Sequence, residues 1–132
     1  MNTQNALAFA PVPLVLAAPV ARTSTYTGTA IDLLDYEGFG LFVLNASAAT
    51  AGTSPTLDCK LQESDVSGSG FADITGATYT QVTSVSGTAG AQKLALNVSN
   101  LKRYVRLIGT FGGTNTPTFD FSAEFIGLKK AS

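Results

Sequence analysis

The sequence has no histidine and no tryptophan, and it has a single cysteine among 132 residues. Without histidine the chain lacks the commonest general base and the commonest metal ligand. The single cysteine, Cys59, excludes an internal disulfide and leaves the redox compartment open. The usual Ser-His and Cys-His nucleophile arrangements are therefore unavailable. We predict a protein that is not an enzyme and that has no catalytic residues, no cofactor and no metal ligands.

Charge is also scarce: 13% of the residues are charged, 45% are hydrophobic, and the formal net charge is −1. A typical soluble domain has about 25% charged residues. No broad basic surface is available to hold phosphates, so we predict no nucleic-acid partner. Arg103 and Arg106 would point to opposite faces of a strand and would not form one basic patch. A surface of Thr, Ser, Ala and Gly favours contact with other proteins.

The first 21 residues, MNTQNALAFAPVPLVLAAPVA, carry no charged side chain. A signal peptide would need positive charge before its apolar part. Pro11, Pro13 and Pro19 would interrupt a helix, and the apolar run 12–18 is too short to span a bilayer. We therefore predict an extended N-terminal arm over residues 1–21 and no membrane partner. Its apolar side chains must lie on this domain or on a neighbouring copy, and they are the predicted oligomer or capsid contacts: Leu7, Phe9, Val12, Leu14, Val15 and Leu16.

Residues 22–132 have the pattern of one all-β domain. Glycines recur at short intervals, and the runs between them are rich in Val, Leu, Ile, Phe, Tyr and Thr. This pattern predicts a single-domain antiparallel β-sandwich or jelly-roll-like barrel. A 3₁₀ turn is expected at 98–101 and a flexible loop at 47–54. The predicted strands are 19–25, 29–34, 38–46, 56–62, 72–74, 82–85, 92–98, 103–110 and 118–128.

Two features near the middle of the chain have a structural and a functional interpretation. Cys59 alternates in phase with Leu57 and Leu61, which favours burial as a small hydrophobe. The segment DVSGSG at 65–70 resembles the start of an EF-hand loop, but the twelfth position is glycine rather than the required glutamate. A hairpin turn is the favoured interpretation, and a weakly held calcium ion at Asp65 and Asp73 is the alternative.

Asp32, Asp35 and Glu37 form the densest acidic cluster. Paired carboxylates can hydrolyse glycosides when they are held at a fixed separation across a sugar. Such sites usually add aromatic platforms, and the chain has no tryptophan. A solvated turn is therefore the favoured interpretation of this cluster.

Three segments, in order along the chain, resemble small structural proteins of tailed bacteriophages. They are SPTLDCKLQESDVSGSGFADI, GATYTQVT and KRYVRLIGTFGGTNTPTFDFSAEFIG, and the similarity covers about residues 38–128. Within that group the chain is most similar to head decoration, or cement, proteins. The resemblance implies a compact β-domain on the outer capsid surface of the virion, made in the host cytoplasm. It also implies the major capsid protein and further copies of the chain, as a homotrimer, as partners.

Two other functions stay open at this stage. A tail or head–tail joining protein would have the same composition. A carbohydrate- or cell-surface-binding β-module would need exposed aromatic residues, for which the candidates are Tyr26, Tyr36, Tyr79 and Tyr104.

Overall fold

The protein is described by a computed structural model that covers residues 13–130. The prediction of an all-β antiparallel barrel or sandwich is confirmed. Across the described residues no helix has the length and apolar composition needed to span a bilayer. The strands are β1 (Leu14–Arg22), β2 (Tyr26–Thr27), β3 (Ile31–Asp32), β4 (Tyr36–Ala46), β5 (Ala51–Ser64), β6 (Ala72–Thr78), β7 (Gly90–Asn97) and β8 (Tyr104–Lys129), with 3₁₀ turns at Ser86–Thr88 and Val98–Asn100.

Strand β8 belongs to two sheets. Its C-terminal half pairs with β1 on one side and with β4 on the other, and β4 pairs with β7; we call these four strands sheet A. Its N-terminal half pairs with β2, β3 and β5, and β5 pairs with β6; we call these strands sheet B. The side chain of Gln92 on β7 bonds to the N–H and C=O of Thr80, just after β6, at 2.7 and 3.0 Å. These two hydrogen bonds connect the two ends of the strand order, β6 of sheet B and β7 of sheet A, and nearly close the strands into a barrel.

The core forms where the alternating apolar residues of both sheets face inward. Leu57, Cys59 and Leu61 of β5 are buried, as the alternation predicts, and so are the inward residues of β8: Val105, Leu107, Phe119, Phe121, Ala123 and Phe125. The Phe125 ring lies 4.8 Å from Phe42 and 5.1 Å from Tyr36, measured between ring centroids. Gly40 lies against this ring, and a side chain at position 40 would overlap it.

The second half of the predicted arm is part of the barrel. Leu14 is half-buried and Leu16 is 1% exposed, because β1 pairs with β8 of the same chain. The sequence left open whether these side chains lie on their own domain or on a neighbouring copy. Leu14 and Leu16 pack on their own domain, and Val15 is the one of the three that points to solvent. The predicted boundary after residue 21 falls inside β1. Leu7, Phe9 and Val12 lie outside the described residues.

Several loop and strand boundaries differ from the sequence predictions. Residues 51–54 were expected in a loop, but they begin β5. Residues 111–117 were expected to separate two strands, but they lie within β8. The segment 82–85 is not a strand: Val82 makes one isolated bridge with Leu57. The Thr83 hydroxyl accepts from the Val85 N–H, and the Thr88 hydroxyl accepts from the Thr83 N–H.

The middle of β8 changes sheets through a local backbone distortion. Gly113, Asn115 and Thr116 have positive φ values of 102, 58 and 56°. The Asn115 side chain donates to the Thr53 hydroxyl at 2.7 Å and ties the distorted segment to β5. A side chain at position 113 would lie 2.7 to 2.8 Å from the carbonyl oxygens of Ser54 and Thr53. The crossing between the sheets therefore depends on glycine at this position.

We expect Gly113→Ala to lower the free energy of unfolding by about 2 kcal/mol, because alanine adds both backbone strain and a clash with backbone oxygens. Urea denaturation monitored by circular dichroism measures this. Gly87→Ala is the matched control, since a methyl group there meets no atom within 4 Å and should change stability by less than about 0.5 kcal/mol. Equal effects of the two substitutions would contradict the role given to Gly113.

Candidate binding surface on sheet A

The outer face of sheet B is covered by its own polar contacts. Asp73 accepts hydrogen bonds from Lys60 at 2.9 Å and from Gln62 at 2.8 Å. The Gln62 oxygen accepts two from Arg106, at 3.0 and 2.9 Å, and the Arg106 guanidinium lies 4.1 Å from the centre of the Phe71 ring. Polar side chains with partners of this kind suit a face that stays in water.

The outer face of sheet A is different in character. Opposite residues of paired strands share a face, and Leu41 lies between Ile126 of β8 and Ala95 of β7. Phe39 is 70% exposed, Leu128 63% and Ile126 40%. Every ion pair found within residues 13–130 lies on or beside sheet B. We call the side chains of Phe39, Leu41, Ile126 and Leu128 the apolar patch.

A β-bulge places Phe39 in this patch. The register between β4 and β8 shifts between Glu37 and Leu41, so that three residues of β4 lie opposite Gly127 alone. Gly38 in this bulge has a φ of 71°. Bulges commonly redirect a side chain, and this one leaves the Phe39 ring in solvent while β4 itself stays paired with β7.

Next to the apolar patch, the same face has a shallow concave surface that we call the trough. Two adjoining depressions of about 390 and 270 Å³ form it, and both are lined by Pro19, Asn45 and Ser122. Val15 and Val43 line the depression nearer to the apolar patch. The floor is low because Ser122 of β8 and Ala91 of β7 have small side chains on either side of Asn45.

The β1 wall of the trough has an irregular shape that Arg22 stabilises. The register between β1 and β8 shifts twice, between Val15 and Ala17 and between Ala17 and Val20. The Arg22 guanidinium donates to the carbonyl oxygens of Ala18 at 2.8 Å and Val20 at 3.2 Å. These bonds connect the bulged part of β1 to the residue at its C-terminal end.

The acidic cluster predicted as a solvated turn is exposed and divided between two sheets. Arg103 donates to both carboxylate oxygens of Asp32 at 3.0 and 2.8 Å, and this hydrogen bonding holds the pKa of Asp32 below its ordinary value. Glu37 lies opposite Leu128 at the border of the apolar patch. Asp35 lies between them, and its backbone carbonyl accepts from Lys130.

The candidate calcium ligands have protein partners instead. Asp73 is bonded to Lys60 and Gln62, and the Asp65 carboxylate lies 3.9 Å from the Lys102 ammonium. Residues 65–70 form a turn in which Ser64 donates to the carbonyl of Ser69 at 2.5 Å. In the described part of the chain, no three acidic, cysteine or histidine side chains are grouped so that they could hold a metal ion.

The tyrosines do not form a platform for a sugar. Tyr36 and Tyr79 are buried, at 7% and 8% exposure, and the Tyr79 hydroxyl donates to the carbonyl of Phe42 at 2.8 Å. Tyr26 is half-buried, and its hydroxyl donates to the carbonyl of Leu16. Only Tyr104 is left of the four candidates, with Arg103 5.0 Å from its ring centre.

Cys59 is a packing residue, as its alternation predicts. Its side chain is 3% exposed, and burial raises the pKa of the thiol to about 12 from an ordinary value of 9.0. Burial raises the pKa of Tyr79 in the same direction. Because the thiolate is the reactive form, Cys59 is protonated and protected at neutral pH.

We expect Cys59 to resist thiol reagents in the folded protein at pH 8 and to react promptly in denaturing urea. Because the pKa of Cys59 is higher in the folded than in the unfolded state, stability is full below pH 9 and declines as pH rises toward 12. Urea titrations from pH 7 to 11 measure the decline, which should be smaller in Cys59→Ala. Rapid labelling of the native protein would contradict this placement.

The apolar patch and the trough were not predicted from the sequence, although one signal was present. The outward series of β8 runs Asp120, Ser122, Glu124 and then becomes apolar at Ile126 and Leu128. A scan against protein-family models finds no match, and a search of curated proteins finds no similar sequence. The assignment of a binding surface therefore rests on the geometry of sheet A.

Proposed function

We propose that this chain is a structural protein of a tailed-bacteriophage virion, specifically a capsid decoration protein that binds the outer capsid surface and stabilises the head by bridging subunits. Its partners are the major capsid protein and further copies of itself, as a homotrimer. It works by surface contact and not by catalysis. The observation that carries the proposal is the contrast between the two outer faces of the barrel.

Three properties of the molecule support this proposal. The apolar patch is an open sheet face on which Phe39 and Leu128 are mostly exposed, and contiguous exposed apolar surface commonly marks a site of contact with another protein. The surface of the chain is low in charge. The segments that resemble phage structural proteins include most of β5 and most of β8, which together span both sheets.

The size of the surface explains why such a protein would act in several copies. Strands lie about 4.8 Å apart with about 3.3 Å per residue, so the outer face of sheet A covers on the order of 400 Å². A standard interface buries about 800 Å² on each partner. One copy alone would therefore bind weakly, whereas three linked copies would combine their contacts through a high effective concentration.

Bridging then stabilises the particle mechanically. Packaged DNA pushes capsid subunits apart, and each bridging copy adds contact area that must be lost before two subunits separate. Apolar contact stabilises by about 25 cal/mol for each Å² removed from water. Many small contacts, repeated over the shell, therefore raise the temperature at which the particle opens.

We expect virus particles that lack this protein to release DNA at a lower temperature than complete particles, and we expect added purified protein to restore the original temperature. The double variant Phe39→Ser/Leu128→Ser should bind such particles at least about tenfold more weakly, because each exposed side chain loses on the order of 1.5 kcal/mol of burial. DNA release against temperature and a sedimentation binding assay provide the measurements.

The matched control is Leu34→Ser/Val85→Ser. These side chains are 52% and 61% exposed and lie outside the strands of sheet A, so binding should be unchanged. Circular dichroism should show that both double variants are folded. Particles equally stable with and without the protein would reject the proposed function, and equal binding by the two double variants would reject the apolar patch as the contact.

A further inference from the structure

The trough has the shape of a site for an extended peptide. It is a concave strip along β8, and its two depressions are large enough for several side chains. Val15 and Val43 provide apolar walls, while Asn45 and Ser122 offer hydrogen-bonding groups between them. Asp120 and Glu124 also line the two depressions. An occupant of matching chemistry would therefore have no acidic side chains and would have apolar side chains along one side.

Residues 1–12, MNTQNALAFAPV, have that chemistry. They carry no charged side chain, so they meet no like-charge repulsion from Asp120 and Glu124 at the border of the trough. Leu7 and Phe9 are two residues apart and therefore lie on the same side of an extended segment. They connect to β1, whose own residues Val15 and Pro19 line the trough.

The direction of β1 decides which copy provides the segment. β1 is antiparallel to β8, and Leu14 lies opposite Phe125. β1 therefore begins at the end of sheet A that carries Ile126 and Leu128, away from the trough, which extends from Glu124 toward Asp120. To enter its own trough the chain would have to reverse at residues 10–13, where Pro11 and Pro13 favour extended backbone.

The segment is long enough to reach a neighbour. Phe9 precedes Leu14 by five residues, which span at most about 17 Å when extended. That distance is comparable to the width of a four-stranded sheet, about 15 Å between its outer strands. A copy that abuts the Leu128 end of sheet A is therefore within reach of Leu7 and Phe9.

We propose that the trough binds residues 1–12 of a second copy of this chain, with Leu7 and Phe9 against Val15 and Val43. Each copy then gives its segment to one neighbour and accepts another, so that the exchange closes into a ring or a symmetric pair. The contact involves only copies of this chain, and the trough, not the apolar patch, receives the segment. It can therefore be tested without capsids, and its outcome is separate from that of capsid binding.

Cross-linking between distinguishable full-length chains tests the exchange. One preparation carries Phe9→Cys, and a second, with a larger mass tag, carries Asn45→Cys; the native Cys59 is retained because it is buried. After mixing and mild oxidation we expect a disulfide between a tagged and an untagged chain. With Val66→Cys, which is 58% exposed in the turn after β5, in place of Asn45→Cys, about tenfold less mixed product should form, because this position lacks the high effective concentration of a docked segment.

Native mass measurement provides the second test. We expect the unmodified chain to be a multimer and Leu7→Ser/Phe9→Ser to be a monomer, while the control Gln4→Ser stays multimeric. A monomeric unmodified chain would overturn the proposal, as would equal cross-linking at Asn45→Cys and Val66→Cys. A disulfide formed only within single chains of a Phe9→Cys/Asn45→Cys double variant would show that the segment occupies its own trough, and would also overturn the proposal.

Discussion

Backbone pairing to β8 is the constraint on which the rest of the molecule depends. Among residues 13–130, five of the other seven strands pair directly with β8, namely β1, β2, β3, β4 and β5. This is possible because the strand changes sheets at the distorted segment around Gly113. Its inward side chains then contribute to the core from both halves, and the two sheets close over them without a disulfide.

The same strand accounts for the contrast between the two outer faces. In its N-terminal half the outward residue Arg106 joins the polar network with Gln62, while in its C-terminal half Ile126 and Leu128 are exposed. A single alternating strand thus supplies a face suited to water and a face suited to protein contact. The two faces differ in the polarity of the outward residues, so the proposed binding surface could change without altering the core.

Alternation along single strands was enough to predict much of the core. Leu57, Cys59 and Leu61, and the series from Phe119 to Phe125, are buried as expected, because each pattern is local. The attachment of β1 was harder, because its partner on β8 is about 100 residues away in sequence. The apolar patch and the trough depend on the registers of four strands and on bulges, which no local pattern specifies.

The small area of the apolar patch affects both a free copy of the protein and the proposed assembly of several copies. An apolar patch of a few hundred Å² is within the range found on soluble monomers, so a free copy need not aggregate. Several copies held side by side present the same patch repeatedly, and their contacts to a common partner then add with little further loss of translational freedom. In the proposed function, strong attachment would therefore arise from assembly, while the polar outer face of sheet B stays in water.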